Sequence, residues 1–124
     1  MSASSFAGLW TYPSPSFPQH HDFMFIDEDR QRIITFVVYA IEPLKRGSIR
    51  NWYLPVSAAS ISARLRPIDD WRVHEFQLEG DRLSWTYGGK VHPWQRVPWE
   101  QRPDWLDARL ANDYSKMDAI DERS

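Results

Sequence analysis

Between Arg72 and Tyr87 the chain reads R-V-H-E-F-Q-L-E-G-D-R-L-S-W-T-Y, two alternating runs separated by Gly80-Asp81. A two-residue turn with glycine first matches the type II′ hairpin preference, because the first central residue needs a positive φ. Counting outward from the turn sets Glu79 against Arg82, Leu78 against Leu83, Gln77 against Ser84, Phe76 against Trp85, Glu75 against Thr86 and His74 against Tyr87. Side chains alternate across a strand, so His74, Phe76, Leu78, Leu83, Trp85 and Tyr87 share an apolar face and the charged and hydroxyl residues share the other. A slip of one residue destroys that sorting, which fixes the register. Gly88-Gly89 is a second two-residue turn and adds a third strand, with Lys90 opposite Tyr87, His92 opposite Trp85 and Trp94 opposite Leu83. Pro93 then falls opposite Ser84 at a non-hydrogen-bonded position, where its missing N–H does no harm on that side.

The rest of the chain extends this pattern. Phe6–Tyr12 reads as a first strand, followed by Pro13, Pro15 and Pro18, which exclude regular structure up to His20. His21–Asp27 is a second strand. Arg32–Ile41 is the third, apolar on both faces and rich in β-branched residues, so it needs cover from both sides. Glu42–Gly47 reads as a loop, Ile49–Val56 as a fourth strand with Pro55 marking an edge or an end, and Ile61, Ala63 and Leu65 as the inward positions of a fifth that stops before Pro67. With the three strands up to Val97, about eight short strands predict an antiparallel up-and-down β-barrel, mainly β in class, whose closure removes sheet edges. A helix is expected from about 103 to 117, with Leu106, Leu110, Tyr114 and Met117 on one stripe beside Trp105, lying on the outside of the third strand. The expectation is thus one domain over 1–124: a barrel at about 6–98, the helix, and a frayed tail at 118–124.

Composition narrows the function classes. A net charge of −2, with lysine only at positions 45, 90 and 116, gives no bulk attraction for nucleic acid or an anionic membrane. The absence of cysteine excludes disulfides and thiol chemistry. No signal-peptide pattern opens the sequence and no run approaches the ~18 apolar residues of a membrane span, which makes a cytoplasmic location the expectation. Seven tryptophans, each burying about 150–250 Å² when enclosed, must fill a core or line a pocket.

Gly8-Leu9-Trp10 is a G-x-W on the first strand of the expected barrel, Arg96 lies on the last strand, and a helix follows. This arrangement resembles the lipocalin-like, or calycin, family. The resemblance implies that Trp10 closes one end of the barrel and that Arg96 packs on it as a structural lid, a cation–π contact of about 0.5–2 kcal/mol. The chain departs from secreted lipocalins in its length, its lack of cysteine and its proline-rich first loop.

The inward face of the three-strand unit carries His74, Tyr87, Lys90, His92 and Arg96 among Phe76, Trp85 and Trp94. Few polar groups converging in an apolar concavity suit a small ligand. His92, beside Trp85, is expected to contact a planar or aromatic ligand, with Tyr87 and His74 bonding its polar edge; Phe76 and Trp94 complete the wall. No cofactor is implied. His20-His21-Asp22 has metal-binding residue types, but adjacent strand residues point to opposite sides, leaving two ligands at most and no metal site. Asp69-Asp70 after Pro67 reads as turn chemistry.

Three functions fit. The first is an intracellular barrel that binds a small apolar or aromatic molecule, with neither nucleic acid nor membrane as partner. The second is an isomerase, cyclase or decarboxylase that moves a proton with His74, His92 or Tyr87. The third is a filled-core inhibitor or immunity-type protein that covers a basic partner with Glu100, Asp104, Asp107, Asp113, Asp118, Asp121 and Glu122. An interior cavity of ~300 Å³ or more separates the first two from the third.

Overall fold

The structure, a computed structural model, describes residues 5–13, 20–39 and 45–123, the side chains of Tyr39, Lys45, Tyr87 and residues 121–123 excepted. The described residues form β1 (Gly8–Pro13), β2 (His21–Asp27), β3 (Arg32–Tyr39), β4 (Lys45–Ser57), β5 (Ser60–Arg64), β6 (Arg72–Glu79), β7 (Arg82–Tyr87) and β8 (Lys90–Val97). Each strand pairs antiparallel with its neighbour in sequence, and β1 pairs with β8, closing the barrel. A single 3-10 turn at Trp99–Gln101 leads to the helix α1 (Leu106–Arg123).

The hairpin register is the one the turns dictate, although the β6–β7 ladder stops at Phe76 and Trp85 and does not include the expected pairs Glu75–Thr86 and His74–Tyr87. β6 and β7 pair from Glu79 with Arg82 to Phe76 with Trp85, and β7 and β8 pair from Tyr87 with Lys90 through Trp85 with His92 to Leu83 with Trp94. Gly80 has φ +59° while Asp81 stays out of the left-handed region, the type II′ pattern. Pro93 faces Ser84, and on its other side the β1–β8 pairing covers only Leu9–Thr11 with Gln95–Val97. Continuing that register would set Pro93 against Pro13, so the seam ends where neither strand has an N–H to give.

Some boundaries differ from the sequence pattern. β4 begins at Lys45, so Lys45–Gly47 belong to a strand and not to the expected loop: the long β3 pairs with them out to Tyr39. Pro55 lies inside β4, paired with Ile61 just before a register shift at Ser57; in a closed barrel it marks a bulge, not an edge. β1 starts at Gly8, because Phe6 turns under the barrel and stacks on Phe76 at 4.8 Å. The expected end of β3 at Ile41 and the proline loop at 14–19 lie outside the described residues.

Side-chain parity divides the buried residues into two groups. Trp10, Met24, Ile26, Ile33, Tyr53, Ile61, Ala63, Phe76 and Leu83 point into the barrel. Leu9, Ile34, Phe36 and Trp52 point outward and pack under Leu106, Leu110 and Met117 of α1, with Trp105, Tyr114 and Ile120 beside them. The doubly apolar β3 is therefore covered on both faces. Leu106 N–H donates to Pro103 O at 3.1 Å, so Pro103–Trp105 form a turn and the helix proper starts after it. It then runs to Arg123, with Ile120 beside the outer cluster.

One helix residue has a different role from the one its charge suggested. Asp113 is 1% exposed and accepts from Ser48 Oγ at 2.9 Å and Arg50 Nη1 at 2.8 Å, while Arg109 donates to Arg46 O and Ser48 Oγ. It is a clamp between α1 and the outer face of β4, not part of an acidic surface. Asp107, by contrast, is exposed and pairs with Arg102 at 2.9 Å on the surface. Asp113→Ala strands the Arg50 charge against the helix and is expected to lower unfolding stability in urea by about 3 kcal/mol, with Asp113→Asn losing less.

Candidate functional site

An eight-stranded barrel is about wide enough for large side chains to fill it. Here they fill one end. Trp10, Tyr53, Phe76 and Leu83 pack with Phe6 and Leu78 at the end where the β6–β7 turn lies. Towards the other end the inward residues of β3, β4 and β5 include Thr35, Val37, Ile49, Asn51 and Ala63, which leave the barrel unfilled. The result is a cavity of about 970 Å³. Its floor is the layer shared with the packed end, Met24, Ile33, Ala63, Trp85 and Trp94; its upper wall is polar, and its mouth lies at the β5–β6 connection, where Leu65, Ile68 and Asp69 line it.

The structure brings most of the expected site residues to this space. His74, Trp85, His92 and Trp94 line it, with the His74 and Trp85 rings 5.8 Å apart. Burial, with Arg72 nearby, pushes the His74 imidazole below its usual 6.5, so it is neutral at neutral pH. Phe76 is not in the wall; it lies beneath, stacked on Trp85 at 5.8 Å, as part of the packed end. Lys90 is exposed, and the Tyr87 side chain falls outside the described residues.

Trp10 and Arg96 are at the packed end, away from the cavity. The Arg96 guanidinium lies 4.3 Å from the Trp10 ring centroid, donates to Ala7 O and Ser5 O, and sits 3.4 Å from Asp81. Gly8 has φ +122°, and a Cβ there would come within 2.9 Å of Arg96 Nη1, so the glycine of G-x-W makes room for the arginine. Trp10 Nε1–H donates to Phe6 O at 2.9 Å, fixing the segment that closes this end.

Among the wall residues not singled out as ligand contacts in the sequence are Tyr12, Asp22 and Asn51. The signal was present, since parity carried around the barrel puts even positions of β1 and β2 and odd positions of β4 inside. Tyr12 lies directly opposite Asp22 in the β1–β2 register, and its ring meets His92 at 5.8 Å and Trp94 at 5.3 Å. Asp22 is 7% exposed. Its Oδ1 accepts from Val38 N–H at 3.2 Å, and among the described residues no donor reaches Oδ2. Burial pushes its carboxyl above the ordinary 3.8, against the opposing pull of Val38 N–H, Arg46 and His21. On the opposite wall Arg66 pairs with Asp69 at 2.8 Å, and Arg64 stacks on Trp71 at 4.2 Å while its buried Nε has no acceptor among the described residues.

Among the described residues no three His, Asp or Glu side chains converge as metal ligands, and no helix is long and apolar enough to cross a membrane. Compared with known proteins, the chain matches no protein-family model, no curated protein and no solved structure.

A carboxyl whose folded pKa is raised favours the native state only when protonated, so above its unfolded value of 3.8 the native state carries the cost of a buried charge. Asp22→Asn keeps the Val38 bond and removes that cost. The variant is expected to unfold at higher urea concentration than the parent at neutral pH, with the gain fading as pH falls towards the unfolded value; urea titrations across pH measure it.

Proposed function

We propose that this chain is a lipocalin-like barrel that binds a small, largely apolar or aromatic molecule in its interior. The carrying observation is the cavity of about 970 Å³ where a barrel of this strand number could have been filled by side chains. Its volume is at the upper end of the range for small-molecule sites, roughly 300–1,000 Å³, and its lining joins an apolar floor to a polar upper wall that can set orientation. Trp85 and Trp94 offer flat apolar surface to a ring, and His74, His92 and Asn51 offer donors and acceptors to its edge. A filled-core interaction protein is disfavoured by the same void and by the burial of Asp113.

A proton-transfer enzyme is a second reading, favoured by one observation: a neutral imidazole at His74 and a carboxyl raised by burial at Asp22 line the same cavity. Recovery of a bound molecule unchanged separates the binder from the enzyme.

Native mass spectrometry of the purified chain is expected to show a bound small molecule, or an empty protein that takes up one equivalent of 3-ethylindole. His92→Ala should weaken 3-ethylindole binding about five- to tenfold, the value of one lost hydrogen bond and ring contact. No co-purifying molecule together with no uptake of 3-ethylindole overturns the reading.

A further inference from the structure

A carboxylate inside an apolar barrel is costly unless something compensates for it. Asp22 has one oxygen held by Val38 N–H, and the other faces the cavity without a donor from the described residues. Among the described residues the cation acting on Asp22 is Arg46, which is spent on the outside of the barrel: it donates to His21 O, and its guanidinium lies over the Trp105 and Phe23 rings at 4.8 and 5.4 Å. The residues beside Asp22 on the inner wall are aromatic. Tyr12 stands directly opposite it, and Trp94 and His92 pack on Tyr12 from β8. Ring faces attract cations, and they do so more strongly where water is excluded.

We infer that the cavity takes a ligand bearing a basic nitrogen, an aromatic or alkyl amine whose ammonium sits between the Asp22 carboxylate and the Tyr12–Trp94 rings while its apolar body lies on Trp85. This rests on the proposed ligand-binding reading and adds the sign of the ligand's charge. The ammonium supplies a donor that no described residue gives Oδ2 and neutralises the carboxylate, which a neutral or anionic ligand does not. An anionic ligand would have to face the opposite wall. There Arg66 is already paired with Asp69 and Arg72 is exposed at the mouth, while Arg64 is stacked on Trp71 with one buried N–H, at Nε, left for an acceptor, so the anionic probe tests that wall directly. Burial that raises the Asp22 carboxyl in the empty barrel adds to the argument, because an entering cation reverses that shift and the site regains what the empty state forfeits.

The test is calorimetric titration of the full chain near neutral pH with three probes that share an indole ring: tryptamine (cationic), 3-ethylindole (neutral) and indole-3-propionate (anionic). Tryptamine should bind about tenfold more tightly than 3-ethylindole, the size of a desolvated cation–π contact joined to an ion pair, and indole-3-propionate more weakly than either. Asp22→Asn, expected to fold at least as well as the parent, should cut the preference for tryptamine over 3-ethylindole to about threefold or less. Tyr12→Leu should reduce the preference for tryptamine in part. Equal binding of tryptamine and 3-ethylindole, or an unchanged preference in Asp22→Asn, overturns the amine assignment and leaves the binding barrel intact. Binding of none of the three overturns both.

Discussion

Closing eight strands into a barrel creates a fixed interior, and every second residue of every strand must either fill it or leave it empty. That constraint governs this molecule because its large and small inward residues are distributed unevenly. Trp10, Tyr53, Phe76 and Leu83 meet across one end, whereas at the other the rings of Tyr12, Trp85 and Trp94 on one side of the barrel face Thr35, Val37 and Asn51 on the other. An even distribution would give a solid core. The uneven one gives a packed base and a hollow top, and both the stability of the barrel and its capacity to enclose a molecule follow from the same arrangement of sizes.

The two ends are held by different physics. At the base, Arg96 ties the chain's start to its last strand by hydrogen bonds to the carbonyl oxygens of Ser5 and Ala7 and by its position over Trp10, and Gly8 leaves room for it. Outside, α1 seals the apolar outer face of β3, and the Asp113 carboxylate fixes it to β4 through Ser48 and Arg50. These interactions leave the top free of structural duty. A buried aspartate with a cost to stability is tolerable there because the base and the helix carry the fold, and natural sites accept such costs where a ligand relieves them.

How much of this could be read from the sequence depended on whether the deciding interaction was local. The hairpins were legible because Gly80-Asp81 and Gly88-Gly89 set the register of β6, β7 and β8 within sixteen to twenty residues of chain, and the alternation confirmed it. The helix stripe Leu106–Leu110–Met117 was legible too, and it held the clue to Asp113, which falls on the same stripe and so must be buried against the barrel. Its charge argued for the surface, and its partners Ser48 and Arg50 lie more than sixty residues away, beyond any local pattern. Asp22 was hidden for the same reason. Next to His20 and His21 it resembles a fragment of a metal site, and only the closed barrel sets it against Tyr12 and the β8 aromatics. The start of β4 at Lys45 likewise came from its pairing with β3, since Gly47 and its polar neighbours have no strand pattern of their own.

The central claim is that His74, Trp85, His92, Tyr12 and Trp94 face one hollow space. Nuclear Overhauser contacts between aromatic side chains in solution test it directly. The account predicts cross-peaks from His74 to Trp85 and from Tyr12 to both His92 and Trp94, and movement of these same resonances when 3-ethylindole is added. Ring protons of His74 and His92 that instead contact residues of the outer face, such as Glu75 or Val91, would contradict it.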